Sequence, residues 1–120
     1  MIYAIDFDGV LCENAYPDIG EPNHLALAAV KRLRELGHTV ILWTCRHDDE
    51  LDAALEWLRK LGVEFDYVNE NVPWLIEEYG DCRKIAADRY IDDKIPGWEW
   101  EDVLEEAFRN RLIPMLVKYQ

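Results

Sequence analysis

The stretch from Met1 to Val10 constrains this chain most. Its apolar run Ile2-Tyr3-Ala4-Ile5 ends in two carboxylates one residue apart, Asp6 and Asp8, followed by Gly9. A strand of a parallel sheet is buried on both faces and reads as a continuous apolar run. Open α/β sheets gather their ligands at the carboxyl ends of such strands, which is where the two aspartates fall. Taken alone, an Asp-x-Asp-Gly string also makes a turn or part of a calcium loop. The order of features downstream separates these readings.

That order is a strict alternation. Leu11 to Pro22 is polar and turn-rich, a loop over the strand tip. A helix follows, capped by Asn23, with Ala26, Val30, Leu33 and Leu36 as its inward stripe and Gly37 as its stop. His38 to Thr44 reads as the second strand. Asp48, Asp49 and Glu50 open a second helix with the acidic first turn that its dipole favours, and Leu51, Ala54, Leu55, Leu58 and Leu61 keep helical spacing up to Gly62. The pattern then predicts a strand over Val63 to Val68, a short helix over Pro73 to Tyr79, a strand over Arg89 to Ile91 and a final helix over Glu99 to Leu112. Such alternation predicts parallel strands joined by right-handed crossovers. The expected fold is therefore α/β, a three-layer Rossmann-like arrangement around a mostly parallel central sheet.

With 120 residues, five tryptophans and a half-apolar composition, the chain has the size and content of one folded domain spanning 1–120. Its net charge of −12 argues against nucleic acid and anionic membranes as partners, because those surfaces attract clustered Lys and Arg. No segment has the basic and apolar character of a targeting peptide, and no apolar run reaches membrane-spanning length. Cys12, Cys45 and Cys82 are odd in number and lack metal-ligand spacing, which suits buried thiols in a reducing compartment. A cytoplasmic protein is expected.

Parallel strands point their carboxyl ends to one edge. That edge should collect Asp6 and Asp8, Thr44, Asn69 and Glu70, and Asp92 and Asp93. Clustered carboxylates repel, and either take up protons or share a cation. An oxygen-only set favours magnesium over zinc. The helix that starts just after Thr44-Cys45-Arg46 points free backbone N–H groups at the same edge, which suits a phosphate. Lys84, before the last strand, is placed to supply a compact positive charge, with Arg83, Arg89 and Lys94 as neighbours able to do the same. His47 suits a substrate contact or the surface. Asn69-Glu70-Asn71 suits a substrate contact or a plain loop, and Trp57, Trp74, Trp98 and Trp100 are read as packing residues or partial surface anchors.

Four ordered motifs at strand ends carry a resemblance to a known family. Asp6-Phe7-Asp8-Gly9-Val10 resembles the first motif of the haloacid dehalogenase (HAD) superfamily, Thr44 after Val40-Ile41-Leu42-Trp43 its second, Lys84 its third and Asp92-Asp93 its acidic fourth. The resemblance spans about residues 1–95. It implies a HAD-like phosphatase with Asp6 as nucleophile, Asp8 as general acid and base, Thr44 and Lys84 on the phosphate, and Gly9, Cys45 and Arg46 as substrate contacts. It further implies Mg²⁺ held by Asp6, the Asp8 carbonyl and Asp92, with Asp93 supporting a water.

The intervals where the superfamily inserts a cap domain are short here, so the resemblance implies a capless member. Its substrate is expected to be a small phosphorylated metabolite such as a sugar phosphate or nucleotide. A phosphorylated macromolecule, or closure of the open site by a second subunit of a homo-oligomer, are the alternatives. The loop around Tyr16 is the expected lid. A non-catalytic binding module on the same fold remains the competing class.

Overall fold

The strand ends are level. In the computed structural model, which describes residues 1–111, Ile5 of β1 (Ile2–Ile5) pairs with Leu42 of β2 (Thr39–Leu42) and with Ile91 of β4 (Arg89–Ile91). Leu42 in turn pairs with Val68 of β3 (Tyr67–Val68). All pairs are parallel and the order is β3-β2-β1-β4. The chain is thus an α/β protein of Rossmann-like fold.

Handedness places the helices. Right-handed crossovers from β1 to β2 to β3 put α1 (His24–Glu35) and α2 (Asp48–Lys60) on one face, whereas the return past β1 to β4 puts α3 (Pro73–Tyr79) on the other. Packing follows this rule. Tyr3, Ile5, Val40 and Leu42 bury against Val30 and Leu33 of α1, Leu58 of α2 and Val103 of α4 (Trp100–Arg109). On the opposite face Ala4 and Ile41 meet Val72, Ile85 and Leu75, a thinner layer. The sheet order reverses between β1 and β4, and the crevice outside a reversal point is where α/β folds bind ligands.

Local signals explain most boundaries. The Asn23 side chain accepts from the Ala26 N–H at 3.2 Å and caps α1. β3 is shorter than the six residues predicted: the Asp66 N–H still reaches Val40 O at 2.9 Å, but the Val40 N–H goes to the Asp66 carboxylate at 2.8 Å instead of a backbone carbonyl, and the strand begins only at Tyr67. α4 closes at Asn110, and Leu112, the predicted end of that helix, lies outside the described residues. Cys12 is buried as expected but Cys45 and Cys82 are exposed, because both stand on loops rather than on an element's inner face. No helix among the described residues is long and apolar enough to cross a membrane.

Candidate active site

Level strand ends bring the first residues beyond them together. Asp6 donates its N–H to Ile91 O at 2.9 Å, so Asp6 and Asp92 leave the sheet side by side. Oxygens of Asp6, Asp92 and Asp93 lie within 4.8 Å of one another. Burial pushes the Asp6 carboxyl up to about 7; the Phe7 N–H opposes this shift, while the charges of Asp92, Asp93 and Asp8 add to it. Asp93 is raised by hydrogen bonding with Asp92, then by desolvation.

These residues fit a small divalent cation. Magnesium binds oxygens at about 2.1 Å, which sets opposite ligands about 4.2 Å apart, and oxygens that all lie within 4.8 Å of one another can close on such an ion with small side-chain movement. Asp92 is held by three bonds, its Oδ1 accepting from the Lys94 N–H and its carbonyl from the Ile95 N–H and Trp98 Nε1, each at 3.0 Å.

Gly9 belongs to the same construction. Its φ is +87°, and a Cβ added there lies 2.4 Å from Asp93 Oδ2. Only glycine lets the chain turn so close to that carboxylate. Gly9→Ala should cost about 2 kcal/mol through backbone strain. By displacing Asp93 it should also weaken divalent-cation binding about tenfold or more. Thermal denaturation with and without magnesium reads both effects.

The facing wall comes from the end of β2. The Thr44 N–H and carbonyl are clamped by the Asn69 side chain at 2.8 and 2.9 Å, and Thr44 Oγ1 accepts from the Arg46 N–H at 3.1 Å. Between the walls lies a cleft of about 370 Å³ lined by Asp6, Asp8, Asp93, the Thr44-Cys45-Arg46 segment and Lys94, with Asn14 and Tyr16 at its mouth. The first turn of α2 does not line it. Asp48 and Asp49 are exposed, and the phosphate-facing amides expected of that helix reduce to the Thr44–Arg46 segment.

Two expectations change here. Arg46 is not a free substrate contact: its side chain is 1% exposed and its donors go to Asp8, Pro17 O, Asp18 O and Glu50 O. Lys84 does not line the cleft. It lies in a second depression with Arg83, Trp43, Tyr90 and Ile95, where Trp43 and Ile95 are the sequence neighbours of Thr44 and Lys94. Arg89 is bound to Glu106, which removes it from the choice of phosphate cation, and Lys94 is the lysine on the cleft wall.

Asn71, left open between contact and loop, is buried. It donates to Cys82 O and Lys84 O and accepts from the Ala86 N–H, thereby shaping the segment that carries Lys84. Trp98, read as a packing residue, also donates its Nε1–H to the Asp92 carbonyl, a role whose only sequence signal is its place six residues after Asp92. Trp57 and Trp100 pack as expected, edge-on to Phe7 and Trp98.

No family model and no curated protein matches the chain. The solved structure of a conserved protein from Bacteroides thetaiotaomicron is similar to it, with a TM-score of 0.79 and 37% identity over 93% of each chain. Identity at that level over nearly the full length, on the same fold, means that the chain belongs to the family of that Bacteroides protein.

Proposed function

We propose that this protein is a magnesium-dependent phosphomonoester hydrolase of the HAD type, capless and acting on a small phosphorylated metabolite. The observation that carries this reading is the convergence of Asp6 with Asp92 and Asp93 at the β1/β4 reversal, with Asp8 lining the cleft beside Asp6. A volume of about 370 Å³ supports a small substrate, being within the range of small-ligand sites. Among the described residues neither the Asp6–Asn23 interval nor the Asn69–Asp88 interval holds a separate domain.

In this reading Asp6 is the nucleophile. One of its carboxylate oxygens bonds to phosphorus as the ester P–O bond breaks, and the leaving oxygen takes a proton from Asp8 to depart as an alcohol. Asp8 then accepts a proton from water as that water bonds to phosphorus, and the Asp6–phosphorus bond breaks to give inorganic phosphate. Thr44 orients the phosphoryl oxygens, and the rim lysines, Lys94 on the wall and Lys84 in the adjoining depression, offset their charge. Magnesium held by Asp6, Asp92 and the Asp8 carbonyl, with Asp93 behind, would supply charge stabilisation of the phosphoryl group.

The test is release of inorganic phosphate from a panel of sugar phosphates, nucleotides and aryl phosphates. Release should require magnesium and should fall when calcium replaces it, because calcium does not keep tight octahedral geometry. Release that persists in a chelator, or that calcium supports fully, defeats the metal assignment. Absence of release from every compound defeats the small-substrate reading.

A further inference from the structure

Arg46 is the largest fully buried side chain among the described residues, yet it is a cation beside an acidic cleft. A guanidinium has five N–H donors in a rigid fork, and here all are engaged. Nε and Nη2 grip the two oxygens of Asp8 at 2.8 and 2.7 Å, a bidentate pair. Nη2 also reaches Asp18 O at 2.8 Å, while Nη1 reaches Pro17 O at 3.2 Å and Glu50 O at 3.4 Å. The Phe7 and Tyr16 rings lie 5.0 and 5.1 Å from its central carbon. One side chain therefore joins the tip of β1, the tip of the Leu11–Pro22 loop and the first turn of α2.

The loop it holds is already anchored at its base. Glu13 N–H donates to Glu21 O at 2.8 Å and Asn23 N–H to Leu11 O at 2.9 Å. Gly20 allows the two limbs to close, since a Cβ there meets Glu13 O at 2.2 Å. Residues 13–18, in contrast, are exposed. Arg46 is what holds that exposed tip down, through two backbone carbonyls, and the same fork fixes the plane of the Asp8 carboxylate.

We propose that Arg46 is a positioning residue: it aims Asp8 at the leaving oxygen and couples that aim to seating of the Tyr16–Asp18 loop over the cleft. Each Asp8 oxygen has two lone pairs, so one can face Arg46 while the other faces the cleft. This inference rests on the reading of Asp8 as the proton donor. Its consequence is selective in the first step, where misdirecting Asp8 matters only if the leaving oxygen needs a proton; the water step that follows is common to all esters and is slowed equally for each. An alkyl phosphate needs it and para-nitrophenyl phosphate does not.

The decisive variant is Arg46→Lys, which keeps one positive charge but has neither the fork nor the reach for all partners. kcat/KM for glycerol phosphate, which reports the first step, should fall by about tenfold to a hundredfold, as for lost supporting contacts or a misplaced catalytic group. kcat/KM for para-nitrophenyl phosphate should fall by no more than about threefold, a smaller loss because no proton is required in that step. Amide hydrogen exchange within residues 13–18 should speed up in the same variant. Tyr16→Leu, at a position 52% exposed, keeps the fold and should show the same substrate split in smaller measure.

Equal losses of kcat/KM on both esters, or unchanged exchange in the loop, overturn the role given to Arg46. A wild-type protein inactive on both esters instead overturns the reading of Asp8 itself, and this role with it.

Discussion

Replacing Asp6 by Asn is expected to lower phosphate release by at least about three orders of magnitude, the usual scale for loss of a nucleophile. The fold should survive. The Asp6 backbone N–H stays in the sheet with Ile91, and an Asn side chain can still accept from the Phe7 N–H that Asp6 now holds at 2.8 Å. Phosphate release within tenfold of the wild type removes Asp6 from the nucleophile's role.

The same variant has a second signature. Because burial raises Asp6 to about 7, the folded state holds this proton more tightly than the unfolded chain does. Its contribution to stability is therefore present below about pH 4, the ordinary carboxylate range, and is lost as pH rises through about 7. Without divalent cations, Asp6→Asn should melt above the wild type at pH 8. Magnesium should narrow that gap, since it stabilises the wild type by about 2.7 kcal/mol at a hundred times its dissociation constant and Asn is a poor ligand.

Two residues along the chain, Asp8→Ala should act with the opposite sign. It leaves Arg46 buried at 1% exposure with the Nε and Nη2 bonds to Asp8 unmade. Breaking a buried ion pair from one side costs about 3 kcal/mol or more, because the remaining charge keeps its desolvation penalty. In a domain of this size that lowers the melting temperature by roughly 10 °C. Asp8→Asn restores one acceptor and should recover part of the loss. A chemical denaturation series on the three proteins decides it, and an Asp8→Ala protein as stable as wild type would refute the structural role of the pair. Both variants should lose turnover of alkyl phosphates, so stability distinguishes them where activity does not.

The neighbouring aspartates illustrate what could be read from the chain and what could not. Both stand in the same local pattern, at the end of an apolar run before a glycine, and that pattern placed them at a strand tip without further information. Nothing local says that Asp6 faces two other carboxylates while Asp8 faces a guanidinium 38 positions away. Arg46 shows the same limit. Its place after Thr44 suggested a substrate contact, and only the folded chain reveals that all its donors are taken. Lys84 and Lys94 are ten residues apart on opposite sides of β4, and which of them lines the cleft depends on how the segment pinned by Asn71 and the turn after Asp92 are held.

Element order, strand direction and the edge at which carboxylates gather were determined by the sequence alone. Apolar periodicity, Asn23 as cap and the handedness of crossovers are local or chiral effects that act on each segment independently of distant ones. Tertiary structure alone decided partnership: which carboxylates come together, which one is tied to Arg46, and which lysine reaches the cleft. Those outcomes depend on distances of a few ångströms between residues far apart in the chain, and charge interactions in a partly buried site change steeply over that range.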